Sequence, residues 1–115
     1  MGDSREAKFI FGETCLKFYT HWDGTNLPEN LQRAIEKARP RWTDESYCLR
    51  IIISQLVGAD WDSETGSGII PSPTKSYDCD FNIDLKEQTI KYIDWDNEVS
   101  FDVFTKMDVD NGDFK

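Results

Sequence analysis

The sequence predicts an α+β fold, an antiparallel sheet covered on one face by two consecutive helices. Three observations support this: β-rich runs open the chain and return near its end, two helical patterns lie together between them, and the later runs alternate apolar with polar residues. Helices grouped between strand runs are typical of α+β domains. A length of 115 residues favours a single domain, residues 1–115, and we expect loose tails at 1–7 and 106–115.

An N-terminal hairpin is the first element. Residues 8–11 and 15–20 are rich in aromatic and β-branched side chains, and a glycine-containing turn at 12–14 separates them. The chain then turns through His21, Trp22 and Asp23, followed by Gly24. An Asp-Gly pair accommodates positive φ angles, so this segment predicts a strand-to-helix corner.

Two helices follow. The first is predicted over residues 28–38, where Pro28 suits the first turn and apolar residues recur at helical spacing. The second is predicted to begin after Thr43 as N-cap and to end at Gly58. Together they supply enough apolar surface to cover one face of a sheet.

A three-stranded meander is predicted for the second half of the chain. Residues 77–84 alternate between apolar and polar positions, and β-rich runs recur at 89–93 and 99–104. Before it, the Gly-Ile-Ile run at 68–70 predicts a short edge strand, because Pro71 and the next proline exclude a continuous ladder.

The net charge of −9 lies entirely in this second half. Residues 1–59 carry eight acidic and eight basic side chains, whereas residues 60–115 carry fourteen acidic side chains and five lysines. Such a field repels nucleic acid and attracts basic surfaces. We therefore expect a non-enzymatic protein that binds a basic surface of a protein partner and not nucleic acid itself; the alternative is a solvated outer sheet face. The expected partner-binding residues are Asp78, Asp80, Asp84, Asp94, Trp95, Asp96, Glu98 and Asp102.

Two other interpretations remain open. A nucleotide signal would be sequestered by the arginines around the helices, with an indole for base stacking; the residues are Arg33, Arg39, Arg41, Arg50 and Trp42. A possible second site at His21, Trp22 and Asp23 would serve acid–base chemistry or only stabilise the corner. The three cysteines lack metal-ligand spacing, so free thiols, no metal and no cofactor are expected.

Residues 18–24, Phe-Tyr-Thr-His-Trp-Asp-Gly, lead directly into the first helix. This string resembles an aromatic-x-His-Trp-Asp-Gly corner of small uncharacterised proteins from phages and other mobile elements. The resemblance implies an accessory protein that antagonises host defence, for example an anti-CRISPR-like inhibitor. The partner would be a host nucleic-acid-binding defence protein. No signal sequence or membrane span is visible, so we expect a cytoplasmic monomer or homodimer.

Overall fold

A computed structural model describes residues 4–21, 24–58 and 61–108 of the chain. They form six strands: β1 (Arg5–Phe11), β2 (Thr14–Thr20), β3 (Ser67–Pro71), β4 (Phe81–Asp84), β5 (Thr89–Tyr92) and β6 (Val99–Ser100). They also form three α-helices: α1 (Leu27–Lys37), α2 (Glu45–Val57) and α3 (Phe101–Thr105). The predicted α+β class is therefore confirmed.

The sheet is mixed, with strand order β3-β2-β1-β4-β5-β6. All neighbouring strands are antiparallel except β1 and β4, which pair in parallel from Ala7 with Phe81 to Ile10 with Asp84. The prediction of an antiparallel sheet is wrong at this position. A parallel pair needs a long crossover connection, and here β2, both long helices and β3 separate the two strands in sequence.

The hydrophobic core lies between the helices and one face of the sheet. The register aligns Ala7 with Phe18 and with Phe81, so these side chains share that face. Leu31 of α1 and Ile52 of α2 belong to the same buried cluster. Phe101 and Phe104 of α3 also belong to this cluster, so all three helices contribute side chains to the core.

The loop of residues 72–80 lies against the opposite face of the sheet, and the sequence predicts its residues 77–80 as part of a strand. The sequence predicts a strand over residues 77–84, but β4 begins only at Phe81, so only the last four of these residues form a strand. The cause is Lys8 on β1, whose side chain is 1% exposed and whose ammonium donates to groups in this loop. The N-terminal tail also needs correction, since β1 begins at Arg5.

The predicted last strand of the meander is mostly helix. β6 contains two residues, and α3 follows it directly. Ser100 is the N-cap, with its Oγ accepting a hydrogen bond from the Val103 N–H at 3.1 Å. Phe101 and Phe104 are both fully buried whereas Val103 is half-exposed, which is a helical spacing of the core positions.

The ends of α2 differ slightly from the prediction. Asp44, not Thr43, is the N-cap, because its Oδ1 accepts a hydrogen bond from the Tyr47 N–H at 3.2 Å. The C-cap is Gly58 at φ 53°, as predicted. No helix in the described parts of the chain is long and apolar enough to cross a membrane.

Candidate functional site

The connection between β5 and β6 presents three exposed carboxylates. Asp94, Asp96 and Glu98 are exposed and make no hydrogen bond or ion pair with the described part of the chain. Trp95 between them is half-buried: its backbone N–H donates to the Tyr92 carbonyl at 2.9 Å, and its ring packs edge-on against the Tyr92 ring, with centroids 6.1 Å apart. The indole therefore anchors this turn in the core while the carboxylates face solvent.

A second acidic loop lies at the same end of the sheet. Residues 61–66 precede β3, and within them Trp61 is 77% exposed and both acidic side chains, Asp62 and Glu64, are exposed. The register places the start of β3 beside the end of β2, and the end of β5 beside the start of β4. We call the combined surface the acidic end; its residues are Trp61, Asp62, Glu64, Asp94, Asp96 and Glu98.

The acidic end spans most of the width of the sheet. Four strand-to-strand steps separate β3 from β5, which at about 4.8 Å each correspond to roughly 19 Å. Arg5 begins the strand between them, but its guanidinium lies over the Tyr92 ring at 5.9 Å and pairs with none of these carboxylates. Lys91 also lies at this end, where its Nζ donates to the Tyr92 carbonyl at 3.3 Å. The result is a broad surface on which exposed carboxylates outnumber the nearby cations.

The aspartate row predicted along one strand does not form. Asp78 pairs with the buried Lys8 ammonium, which holds the pKa of this carboxyl below its usual value. Asp80 Oδ2 accepts the Glu6 backbone N–H at 2.9 Å. Only Asp84 lies in β4, and its Oδ1 caps the following turn by accepting two backbone N–H groups at 3.0 Å. All three carboxylates stabilise the fold.

Asp102 is likewise occupied. It lies in α3, where Lys106 Nζ donates to its Oδ2 at 3.1 Å and Arg39 Nη1 donates to its Oδ1 at 3.0 Å. These two cations lower the pKa of Asp102. Of the predicted partner-binding residues, the structure brings together Asp94, Trp95, Asp96 and Glu98, and separates Asp102 from them.

The possible second site is described only at its first residue. His21 is exposed, its ring packs edge-on against Tyr19 with centroids 5.1 Å apart, and its backbone N–H donates to the Gly66 carbonyl at 2.9 Å. Trp22 and Asp23 lie outside the described residues. A role for this trio in acid–base chemistry stays a prediction.

A basic groove of about 480 Å³ lies where α1 and the following turn meet α2. Its lining residues are Arg33, Glu36, Lys37, Arg39, Pro40 and Gln55. Arg39 donates two hydrogen bonds to the Glu36 carboxylate, from Nε to Oε2 at 2.7 Å and from Nη2 to Oε1 at 2.8 Å. This pairing lowers the pKa of Glu36. Arg33 and Lys37 remain as cations without a carboxylate partner in the described chain.

The remaining residues of the predicted nucleotide site are placed differently. The Trp42 Nε1–H donates to the Ile35 carbonyl at 2.9 Å, and the Arg39 guanidinium lies 4.3 Å over the ring. The indole therefore has one face covered by a cation. Arg41 stacks on Tyr47 at 5.1 Å, and Arg50 is exposed without lining the groove.

The three cysteines are buried free thiols. Burial raises the pKa of Cys48 and of Cys79 to about 11, so both are protonated thiols at neutral pH. Over the described ranges, no group of three or more His, Cys, Asp and Glu side chains is arranged to hold a metal ion.

Sequence reasoning missed one half of the acidic end, the loop before β3. Its signal was present as Trp61 beside Asp62, but pairing this loop with the distant turn at 93–98 requires the strand order.

No family model, no curated protein and no solved structure matches this chain.

Proposed function

We propose that this protein is a non-enzymatic binding protein whose acidic end engages a basic surface of a partner protein. The observation that supports the proposal is that some carboxylates of the protein are ion-paired within the fold and others are not. Asp78 and Asp102 are neutralised by lysine or arginine within the fold, whereas Asp94, Asp96 and Glu98 are exposed and have no partner among the described residues. Uncompensated, exposed charge of one sign steers association with a surface of the opposite sign.

The proposed partner is a host nucleic-acid-binding defence protein, and the proposed role is anti-CRISPR-like inhibition. A channel that binds nucleic acid is lined by lysine and arginine, so a wide acidic surface complements it. The resemblance of residues 18–24 to proteins of phages and mobile elements supports this choice of partner. The protein would act in the cytoplasm of the host.

Neutralising the acidic end tests the proposal. Asp94→Asn/Asp96→Asn removes two exposed charges from the turn, and Glu29→Gln/Glu87→Gln removes two exposed charges elsewhere. Proteins captured from a host lysate by the wild type should be lost by the first variant and retained by the second. Equal capture by both variants would contradict the proposal.

Salt dependence supplies a second, quantitative test with a captured partner. Steering acts over a Debye length of roughly 8–10 Å at physiological ionic strength. Raising salt from about 0.05 to about 0.5 M should lower the association rate constant at least roughly tenfold. A rate constant that does not change with salt would shift the interface to apolar anchors such as Trp61.

A second candidate function, capture of an anionic ligand such as a nucleotide signal, is favoured by the groove that Arg33 and Lys37 line. Native mass spectrometry with a set of nucleotides would detect bound ligand as a mass shift. Arg33→Ala/Lys37→Ala should abolish the shift, and Arg50→Ala should retain it because Arg50 lies outside the groove. Absence of any shift with the wild type would exclude the nucleotides tested.

A further inference from the structure

Among the described residues, no strand pairs with the outer edge of β3, and two isoleucines are exposed along it. β3 is the first strand in the sheet order, and Ile69 and Ile70 are 49% and 42% exposed. The other edge strand, β6, has two residues and runs directly into α3. Exposed strand edges present unpaired N–H and C=O groups to other chains, so β3 is the edge of this sheet that can accept another strand.

The hydrogen-bond phase of β3 defines which backbone groups face outward. The His21 N–H donates to the Gly66 carbonyl, and the Ser72 N–H donates to the Cys15 carbonyl, both at 2.9 Å. In an antiparallel pair such hydrogen-bonded positions alternate with non-bonded ones. Even-numbered residues from 66 to 72 therefore direct their backbone groups toward β2, and Ser67, Ile69 and Pro71 direct theirs away from the sheet.

Pro71 agrees with this assignment. A proline lacks the backbone N–H and is tolerated in a strand where that N–H would face away from the ladder. Pro71 occupies such a position, so it costs no hydrogen bond to β2. It also ends the outward row of donors, which then consists of the N–H groups of Ser67 and Ile69.

We propose that two copies of this chain associate by antiparallel pairing of their β3 strands about a two-fold axis at Gly68. Ser67 of each copy would then face Ile69 of the other copy, and the two residues would exchange N–H···O=C bonds. Four intermolecular hydrogen bonds result, because each copy supplies two donors and two acceptors. The arrangement closes on itself, as two-fold interfaces do.

The side chains along β3 suit a second copy. Gly68 places no side chain at the axis; a Cβ there would lie 2.3 Å from Tyr19 Oη. Ser67–Pro71 carries no charged residue in a chain of net charge −9. Two copies can therefore approach along this edge without bringing strand charges of like sign together.

The charges flanking β3 favour the antiparallel orientation. Acidic Asp62 and Glu64 precede the strand, whereas the charged residue that follows it, Lys75, is paired with Glu13 of its own chain at 3.2 Å. Antiparallel pairing keeps the acidic flanks of the two copies at opposite ends of the interface, whereas parallel pairing would bring them together. The interface is short, under roughly 1,200 Å², which is the range of weak and transient complexes.

Sedimentation velocity over a range of protein concentrations tests the proposal. The wild type should show a concentration-dependent dimer. Ile69→Pro removes an outward N–H without affecting the ladder to β2, and Ile70→Glu adds a negative charge that faces the acidic flank of the other copy; each should raise the dimer dissociation constant about tenfold or more. Val103→Lys changes another half-exposed apolar residue, on α3, and should dimerise like the wild type.

Circular dichroism would establish that each variant is folded. A wild type that stays monomeric at every concentration would overturn the proposal and leave the edge to an extended segment of a different protein. Dimerisation of folded Ile69→Pro and Ile70→Glu with unchanged affinity would also overturn it. Asp94→Asn/Asp96→Asn should dimerise normally, so a failure here is distinguishable from a failure of the proposed acidic interface.

Discussion

Lys8 is a charged residue in the centre of the sheet. Its side chain is 1% exposed, and its ammonium donates to the Thr74 and Ser76 carbonyls at 3.2 and 2.8 Å and to the Asp78 carboxylate. Burying a charge is costly unless it is paired and hydrogen-bonded. Here both conditions are met by one loop, which therefore stays attached to the second face of the sheet.

Lys8→Met should destabilise the protein by about 1–3 kcal/mol, the usual cost of leaving buried polar groups without their partners. Chemical denaturation measures the change in the free energy of unfolding. Lys17→Met is the matched control: Lys17 is more exposed and pairs with Glu6 at 3.2 Å, so we expect a clearly smaller loss of unfolding free energy. Equal losses for both variants would contradict the role of Lys8.

Acid should weaken the fold through two carboxyl groups. Pairing with Lys8 lowers the folded-state pKa of Asp78, and Lys106 and Arg39 lower that of Asp102. The unfolded chain, with pKa values near 3.9, then binds protons first as the pH falls. Their stabilisation is complete above that pH and is lost as the pH falls through the folded values.

The pH dependence can be assigned with a variant. The free energy of unfolding can be measured between neutral pH and about pH 2, a range that includes the normal pKa of aspartate. It should fall less steeply with decreasing pH for Asp102→Asn than for the wild type, because the variant lacks one of the two carboxyl groups whose pKa is lowered in the folded state. An identical slope would show that the pairing of Asp102 contributes nothing to acid sensitivity.

The roles of individual residues were only partly predictable from the sequence. Exposure of Asp94 and Asp96 followed from their place in a polar turn. The pairing of Asp78 with Lys8 did not, because the partners are 70 residues apart in sequence, and an alternating pattern cannot show that a loop will fold back over the sheet.

At the scale of elements, α3 is a segment whose sequence fits a strand but whose packing is helical. Val99, Phe101 and Val103 alternate with polar residues, which predicts a strand. The Ser100 cap and the burial of both phenylalanines instead support one short helix. Alternation over six residues is compatible with either structure, so the tertiary contacts decide.

Truncation of two adjacent side chains distinguishes helix from strand. Phe104→Ala should cost about 3–5 kcal/mol, since Phe104 is fully buried. Val103→Ala should cost less than about 0.5 kcal/mol, since Val103 is 51% exposed. Thermal and chemical unfolding would measure both, and a larger loss for Val103→Ala would show that the segment packs as a strand.

The long helices were predictable because their signals are local. Pro28 in the first turn, Gly58 after the last, and the apolar spacing between them each act within a few residues. The parallel pairing of β1 with β4 is not local. It depends on which sheet edge is free once β2 has paired with both β1 and β3, and no short stretch of sequence carries that information.

At the scale of the whole molecule, basic and acidic charges are separated. Arg33, Lys37 and Arg39 line the groove on the helices, whereas the acidic end lies beyond the starts of β3 and β4. A partner surface therefore experiences opposite potentials from different directions. Orientation on approach, and not only attraction, follows from this separation.

The two proposed associations should respond to salt in opposite directions. Salt screens the attraction between the acidic end and a basic partner and slows that association. It also screens the repulsion between two copies that each carry −9, so dimerisation should strengthen. Sedimentation velocity and association kinetics over the same salt series test both trends, and a common direction would contradict the charge argument for one of them.

The central position of β1 has a consequence for synthesis on the ribosome. Of the six described strands β1 is made first, yet it lies between β2 and β4. Its hairpin with β2 can close early, but its other side stays unpaired until residues 81–84 have left the exit tunnel. While residues 21–84 are being translated, the edge of β1 that later pairs with β4 stays open in the nascent chain, and the sheet is completed only after β4, β5 and β6 have emerged.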